Sequence, residues 1–465
     1  MVSNLSLEGR LPGHAGALTP DQVAALKKIW LRLFELFKQA GEPYTPPADS
    51  DSSSQASSQA SSEKQEKKNG GGGWFGFGKS SSSSAPAKDA QQDKPVFLGK
   101  TADPRWMSLT LEEAIKLIPG EKLERTFWHM VATDNPDACI LRYLRARKWD
   151  VDAAYRMIIN TLRWRLHNRV DDITKLGESG LVIELNKLKP QLGDDFIRQI
   201  KSGKATLGGP DKSDRGICFL NVQLHHKEDQ PFEAIQIAAL YLMETARVFC
   251  GYPMVNACLV FNLDNFTLAN MDFEFVKFLI TCLERYYPET LGLCLIHKAP
   301  WVFSTVWAMI QPLLDPVVAA KIKFSKNLDE LQEHIDIGSV PVIISGNPDR
   351  KTKDEATKAD DPPAGILEVP TTAEYLAYEE EKKAYTKDTE EWAKSEIVAG
   401  QEDQDALARL ERGRQYRLIR IRAEKDLRAN TTYHQKGLLK LTPDAHLYVD
   451  FGGDNWVEQD ITDRV

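Results

Sequence analysis

The side chains best suited to chemistry in this chain are cationic. Between positions 142 and 169, eight of them (Arg142, Arg145, Arg147, Lys148, Arg156, Arg163, Arg165 and Arg169) face two carboxylates, Asp150 and Asp152, a local excess of six positive charges. Arginine suits phosphate because its fork is planar and permanently charged. The same run also describes the solvated face of a helix, and charge alone leaves both readings open. Gly73–Ser80 matches the G-x-x-x-x-G-K-S phosphate-loop spacing. That spacing holds a nucleotide only between a buried strand and a helix, whereas glycines precede it here and Ser81–Ser84 follow. No nucleotide site is expected, and Trp74, Phe75 and Phe77 beside Lys79 leave a short membrane or partner contact open. His225 and His226 are adjacent and so share no face of a helix or strand. His297 ends an apolar run beside Lys298 and reads as a structural hydrogen-bonding group. No H-E-x-x-H, G-x-S-x-G or kinase set occurs. The six cysteines include no C-x-x-C pair and read as small buried hydrophobes, neither disulfides nor metal ligands. An enzyme is therefore not expected, nor a metal or a cofactor.

The elements that must position these groups follow from periodicity. Ala257–Leu263 and Leu291–His297 have strand length, and the segment between them has a helical pattern. Strand, helix, strand is a crossover, which implies a parallel sheet with helices on its faces. Gly216–Leu224 alternates as a further strand, Ile322–Phe324 and Pro341–Ile344 read as short ones, and Asp329–Ile335 reads as a helix. Residues 171–206 read as helical and linking. Pro231–Cys250 reads as a helix with Ile235, Ala238, Ala239, Leu242 and Ala246 turned inward. After the second strand, Trp301, Phe303, Val306, Trp307, Ile310, Leu313 and Leu314 form a helical pattern with more aromatic surface than one core face needs. Such a helix suits closing over something apolar, and Phe261, Phe275 and Leu279 are among the residues that would line the space beneath.

At the amino end, Thr19–Gln39 carries a capping box (Thr19, Gln22), a proline in its first turn and one broad apolar face, which predicts docking on the body. Leu109–Arg169 is helical, with Thr110 and Glu113 as a second capping box. The tail reads as two charge-laced helices, Tyr375–Ile397 and Asp405–Arg428, and His446–Trp456 has no assignable role. The expected organisation is an amphipathic helix in 1–41, a low-complexity linker in 42–98, a helical region in 99–170, an α/β domain in 171–347 and a charged helical extension in 348–465.

At 465 residues, with 42% hydrophobic and 27% charged residues, the chain has the makeup of an ordinary globular protein. A net charge of -8 disfavours a general nucleic-acid binder. No apolar run approaches the roughly 20 residues of a spanning helix, and the first residues hold no secretory pattern. A cytoplasmic chain is expected, touching membranes only peripherally.

Two tracts carry a resemblance. YYPETLG with APWVFSTVWAMIQPLLDPVVAAKI resembles the signature of the CRAL-TRIO lipid-binding domain, in its fungal phosphatidylinositol-transfer (Sec-fourteen-like) branch. ACILRYLRARKWDVDAAYRMIINTLRWR resembles the helical region preceding that domain, and the likeness covers residues 109–346. It implies an α/β fold: a mostly parallel sheet flanked by helices over a lipid cavity, with a small all-helical lobe before it and the charged helical extension after. It places Arg147, Lys148, Glu289 and Lys321 at a lipid head group, and Trp301, Phe303, Val306, Trp307, Ile310 and Leu314 on a gate over Phe261, Phe275 and Leu279. Two positions depart from the family: Thr290 stands where an arginine is usual, and Val318 where a threonine is. The family's serine and threonine contacts to phosphatidylcholine have no match around Leu268–Asn270. The second ligand is thus open, a sterol precursor or another apolar guest included. The implied function is binding of phosphatidylinositol, as a bound lipid and not a cofactor, and its exchange between membranes through the gate. The alternative is a lipid-sensing regulator or scaffold that presents phosphoinositide precursor to a partner. Expected partners are phospholipid, a transient membrane surface at endomembranes and a protein held by the extension, around a monomer that binds no nucleic acid.

Overall fold

The computed structural model describes residues 5–42, 103–452 and 458–465. The low-complexity stretch, with Trp74, Phe75, Phe77 and Lys79, lies outside them.

Capping chemistry sets the helix starts. Thr19 and Gln22 exchange both capping-box hydrogen bonds at the head of the Pro20–Phe37 helix, and Thr110 and Glu113 do so for Leu111–Leu117. Asn135 and Asp150 cap the Pro136–Ala146 and Val151–His167 helices. The apolar face of Pro20–Phe37 (Leu26, Ile29, Trp30, Leu33, Phe34 and Phe37) is buried in one core with the helical lobe. Tyr378, Tyr385, Leu410 and Tyr416 of the tail share that core. A buried ion pair ties the three segments together. Asp137 accepts from Trp30 Nε1 at 2.8 Å and from Arg409 Nη2 at 2.7 Å. The tail helices, Ala373–Lys394 and Glu402–Arg422, are therefore part of the lobe's core, not an appendage.

The body is a five-stranded sheet in the order β1 (Ala205–Gly208), β2 (Gly216–Asn221), β3 (Ala257–Asn262), β4 (Leu291–His297), β5 (Ile322–Ser325). β2 to β5 are parallel and β1 is antiparallel to β2. Side chains alternate between faces, and the two faces end differently. Ile217, Phe219, Cys258, Val260, Leu293 and Leu295 are fully buried against Leu331, Ile335, Val340 and Ile344. The other face, with Cys218, Leu220, Leu259 and Phe261, is only half-buried. It looks into a void.

Three expectations are corrected. Pro341–Ile344 is no strand: Pro341 leads a single helical turn, Val342–Ser345, with Ile344 in the core. Proline lacks the donor a ladder needs and suits a helix start. β1 begins at the end of the stretch read as helical, with Ala205 and Thr206 extended. The tail also holds a small antiparallel sheet, β6 (Leu439–Leu441), β7 (Leu447–Val449) and β8 (Gln459–Asp460), packed on Leu207, Val248 and Phe249.

Candidate functional site

The half-buried face of the sheet borders a cavity of about 360 Å³. Its far wall is the Phe232–Ala246 helix, which turns Ile235, Ala238, Ala239, Leu242, Met243 and Ala246 inward at helical spacing. Three of these six are alanines, where a filled core would carry longer side chains. Phe275, Val276, Leu279 and Ile280 of the Phe273–Thr281 helix close one side. A widened π turn, Cys282–Tyr286, follows that helix and adds Leu283 and Tyr286.

The Phe303–Ile310 helix and its following turn form the cover. Phe303, Trp307, Ile310 and Leu314 border the cavity. Phe303 meets Phe266 edge to face at 5.7 Å, and Trp307 meets Phe324 at 5.3 Å. Phe261, Phe275 and Leu279 line the cavity as well. Two expected cover residues do not. Val306 is buried in the cluster with Leu263 and Ile296 and does not itself border the void. Trp301 lies in the turn before the helix and is 87% exposed. The helix starts only at Phe303, so its periodicity does not carry Trp301 inward. Met309 on the cover is also half exposed, as are Val317 and Phe324 just beyond it, giving the cover and its surroundings an apolar outer side.

Arg147 and Lys148 are exposed in the turn ending the Pro136–Ala146 helix. Glu289 precedes β4 and Lys321 precedes β5. Because β4 and β5 are parallel, Glu289 and Lys321 lie at the same, amino edge of the sheet. None of the four borders the cavity itself. None makes a side-chain hydrogen bond or ion pair with a described residue, so their bonding capacity is unspent. Lys148 and Glu289 hold left-handed backbone, φ 50° and 58°, a conformation that costs a non-glycine residue and recurs at ligand sites.

Two further arginines of the cationic run, Arg142 and Arg145, stand near this edge, although the sequence did not single them out within the run. Arg142 borders the cavity, pairs with Asp134 at 3.2 Å and donates to the Val255 carbonyl just before β3. Burial pulls the Arg145 guanidinium down to about 10, with Arg142 adding to the effect and Glu289 opposing it. Their only sequence signal was the Arg-rich run itself. Deeper in, the cavity reaches Arg165 and Arg247. Arg165 pairs with Glu244 at 2.7 Å and with Asp171 at 2.8 Å, and Tyr287 donates to Glu244 at 2.8 Å. Burial alone would raise the Glu244 carboxyl, but Arg165 and Arg247 hold it well below the usual carboxylate range. Arg428 of the tail also reaches the cavity wall.

The remaining candidates are chemically quiet. Cys139, Cys218, Cys250 and Cys294 line the cavity, and burial pushes Cys139 up to about 11 and Cys218 and Cys294 to about 12. As protonated thiols they are apolar wall, not nucleophiles. His297 is bonded through Nδ1 to Ser325 Oγ at 2.9 Å, and burial lowers it to about 4, so it stays neutral and structural. No described helix is long and apolar enough to cross a membrane.

Residues 200–346 match the CRAL/TRIO domain, and residues 107–160 match the CRAL/TRIO N-terminal domain. The chain is 34% identical over 357 residues to phosphatidylinositol transfer protein CSR1 of Eremothecium gossypii, covering 72% of this chain and 77% of that one. It is 40% identical over 236 residues to a CRAL-TRIO domain-containing protein of Schizosaccharomyces pombe, covering 50% of this chain and 51% of that one. Phosphatidylinositol transfer protein PDR17 of Saccharomyces cerevisiae is 24% identical over 223 residues, which is 47% of this chain and 59% of that one. With its one-sided sheet, apolar cavity and aromatic cover, this chain belongs to the CRAL-TRIO family.

Proposed function

We propose that the protein is a lipid carrier. It holds the acyl part of a phosphatidylinositol-type phospholipid in the cavity and exchanges that lipid between membranes. The observation that carries this reading is the pairing of an apolar void under an aromatic cover with the unspent charges of Glu289 and Lys321 at one edge of the sheet. Each methylene moved from apolar surroundings into water costs about 0.8 kcal/mol, so an acyl chain of about sixteen methylenes costs roughly 13 kcal/mol to expose. A bare lipid therefore leaves a bilayer slowly, and a protein that shields the chains throughout removes most of that barrier. Arg147, Lys148 and Lys321 supply three cations against one carboxylate, Glu289, a balance that suits a phosphate with neighbouring hydroxyls. The Phe303–Ile310 cover opens on contact with a bilayer, where its apolar outer side loses its exposure to water. The chain works in the cytoplasm as a carrier and not as a catalyst.

The test is exchange of labelled phosphatidylinositol between vesicles. Lys148→Ala combined with Lys321→Ala is expected to slow exchange at least about tenfold, the equivalent of one charge-assisted hydrogen bond, while uptake of an uncharged apolar probe is unchanged. Unchanged exchange would remove the head-group assignment, and equal loss of both activities would mark a folding defect.

A further inference from the structure

A strap of the chain lies across the amino edge of the sheet. Residues 9–16 precede the Pro20–Phe37 helix and run between the helical lobe and the loop 250–256, which leads into β3. That loop is part of the cavity rim, since Cys250, Val255 and Asn256 border the void. On the loop, the Leu11 N–H donates to the Tyr252 hydroxyl at 3.1 Å, and the Arg10 guanidinium lies 4.5 Å over the Tyr252 ring. On the lobe, Arg145 Nη1 donates to the Gly13 carbonyl at 2.9 Å. Arg145 is the guanidinium that feels the Glu289 carboxylate at this edge.

Two features make this strap easy to displace. Between positions 9 and 16 only Gly13 and Ala15 are buried. Polar contacts therefore hold the strap, and segments with so little apolar burial open at low cost. Its acceptors are also neutral. Positions 9–16 contain no carboxylate, and His14 is held toward its neutral form by burial and then by Arg145, with Arg142 adding to the effect. Arg145 thus meets a backbone carbonyl where a phosphate oxygen would bind about twice as strongly. Gly13 also lies flat on the arginine. Its φ is 75°, and a Cβ there would stand 3.1 Å from Trp149 Cζ2 and 3.5 Å from Arg145 Cδ. The strap and an incoming anion contend for the same guanidinium.

We propose that residues 9–16 are a displaceable latch that helps set which guests the amino edge accepts. The latch covers Arg145 until an anionic head group takes that guanidinium from the Gly13 carbonyl, and the strap then leaves the edge. A charged acceptor makes this exchange because the charge-assisted bonds it forms exceed the neutral one it breaks. An uncharged guest gains no such bond and leaves the latch closed. The inference rests on the carrier reading of the cavity and adds a closure on its polar side, separate from the aromatic cover. Neither Gly13 nor Tyr252 borders the cavity or belongs to the head-group set, so the latch is separable from the site by mutation.

The experiment follows amide hydrogen exchange in the lipid-stripped full chain as phosphatidylinositol, or a diacylglycerol with the same acyl chains, is titrated in. Binding of phosphatidylinositol is measured in parallel. The N–H groups of Leu11, Gly13 and His14 are hydrogen-bonded in the closed strap. They are expected to exchange at least about tenfold faster once phosphatidylinositol is bound, and to keep their lipid-free rates throughout the diacylglycerol titration. Gly13→Ala, strained at a positive φ, and Tyr252→Phe, which lacks the anchoring hydroxyl, both loosen the latch. Each should tighten phosphatidylinositol binding about fivefold, the equivalent of one neutral hydrogen bond. Strap amides that are unchanged or slowed by bound phosphatidylinositol overturn the proposal, and this result needs no variant to fold. So does opening by diacylglycerol, or binding that is unchanged or weakened in both variants. A chain that takes up phosphatidylinositol without opening the strap overturns this inference alone. A chain that takes up neither lipid overturns the carrier reading with it.

Discussion

Ala239 offers the sharpest perturbation of the cavity. It lies on the inward stripe of the Phe232–Ala246 helix and borders the void. Ala239→Leu adds three carbons, worth about 2.4 kcal/mol if they enter empty apolar space. About 0.5–1 kcal/mol of side-chain entropy is lost in return, leaving a net gain of roughly 1.5 kcal/mol. Were the interior filled, the same change would overpack it and cost about 1–3 kcal/mol. The sign of the effect thus distinguishes the two interiors, across a gap of roughly 3 kcal/mol. Helix propensity barely contributes, since alanine and leucine are both strong helix formers. The assay is equilibrium denaturation of the lipid-free chain, paired with vesicle exchange. Equal or greater stability with slowed exchange is the expected pair. Loss of stability by more than about 1 kcal/mol, with exchange intact, would refute the argument.

Two further outcomes follow from the cover and the buried charges. Phe303→Ala with Trp307→Ala should change exchange rates while leaving the sheet's packed face untouched, and unchanged rates in the vesicle assay would eliminate the cover as a gate. Trp301→Ala, which leaves the cavity intact, should weaken vesicle adsorption more than lipid binding, read by co-sedimentation. Glu244 has a folded-state carboxyl held below its unfolded value by Arg165 and Arg247, against its burial. Its contribution to stability is therefore present above the unfolded value near 4.5 and is lost as the pH falls toward the depressed folded value. Glu244→Gln should flatten that acid limb and, by removing the one carboxylate that Arg247 pairs with and half of the pairing of Arg165, destabilise the fold by about 3–5 kcal/mol, measured by denaturation from pH 7 downward.

The sequence displayed the parts of the fold that repeat on a short period. The strands β2 to β4 alternate or run apolar, the inward stripe at Ile235, Ala238, Ala239, Leu242 and Ala246 repeats at helical spacing, and Thr19 with Gln22 marks a helix start. What stayed hidden is either too short or too distant. β1 has four residues behind Gly203, too few to establish a period of two. Arg409 and Asp137 are 272 positions apart, so nothing local announces that the charged tail is built into the amino-terminal core. Trp301 misled for a physical reason: composition suggested one aromatic helix, but the helix starts only at Phe303, and the turn before it leaves the indole outside. The head-group residues were named from resemblance, and the fold places Glu289 and Lys321 on one edge with Arg142 and Arg145 beside Val255 and Glu289, a cluster no spacing rule reveals.

The central claim is that one face of the sheet encloses an oily chamber that carries a phospholipid. Native mass spectrometry of the chain purified without detergent, followed by fragmentation of whatever it retains, addresses that claim most directly. The account predicts one phosphatidylinositol-type lipid per chain, lost from the Lys148→Ala, Lys321→Ala double variant. A chain at its bare mass throughout, in a preparation that still binds vesicles, would contradict it.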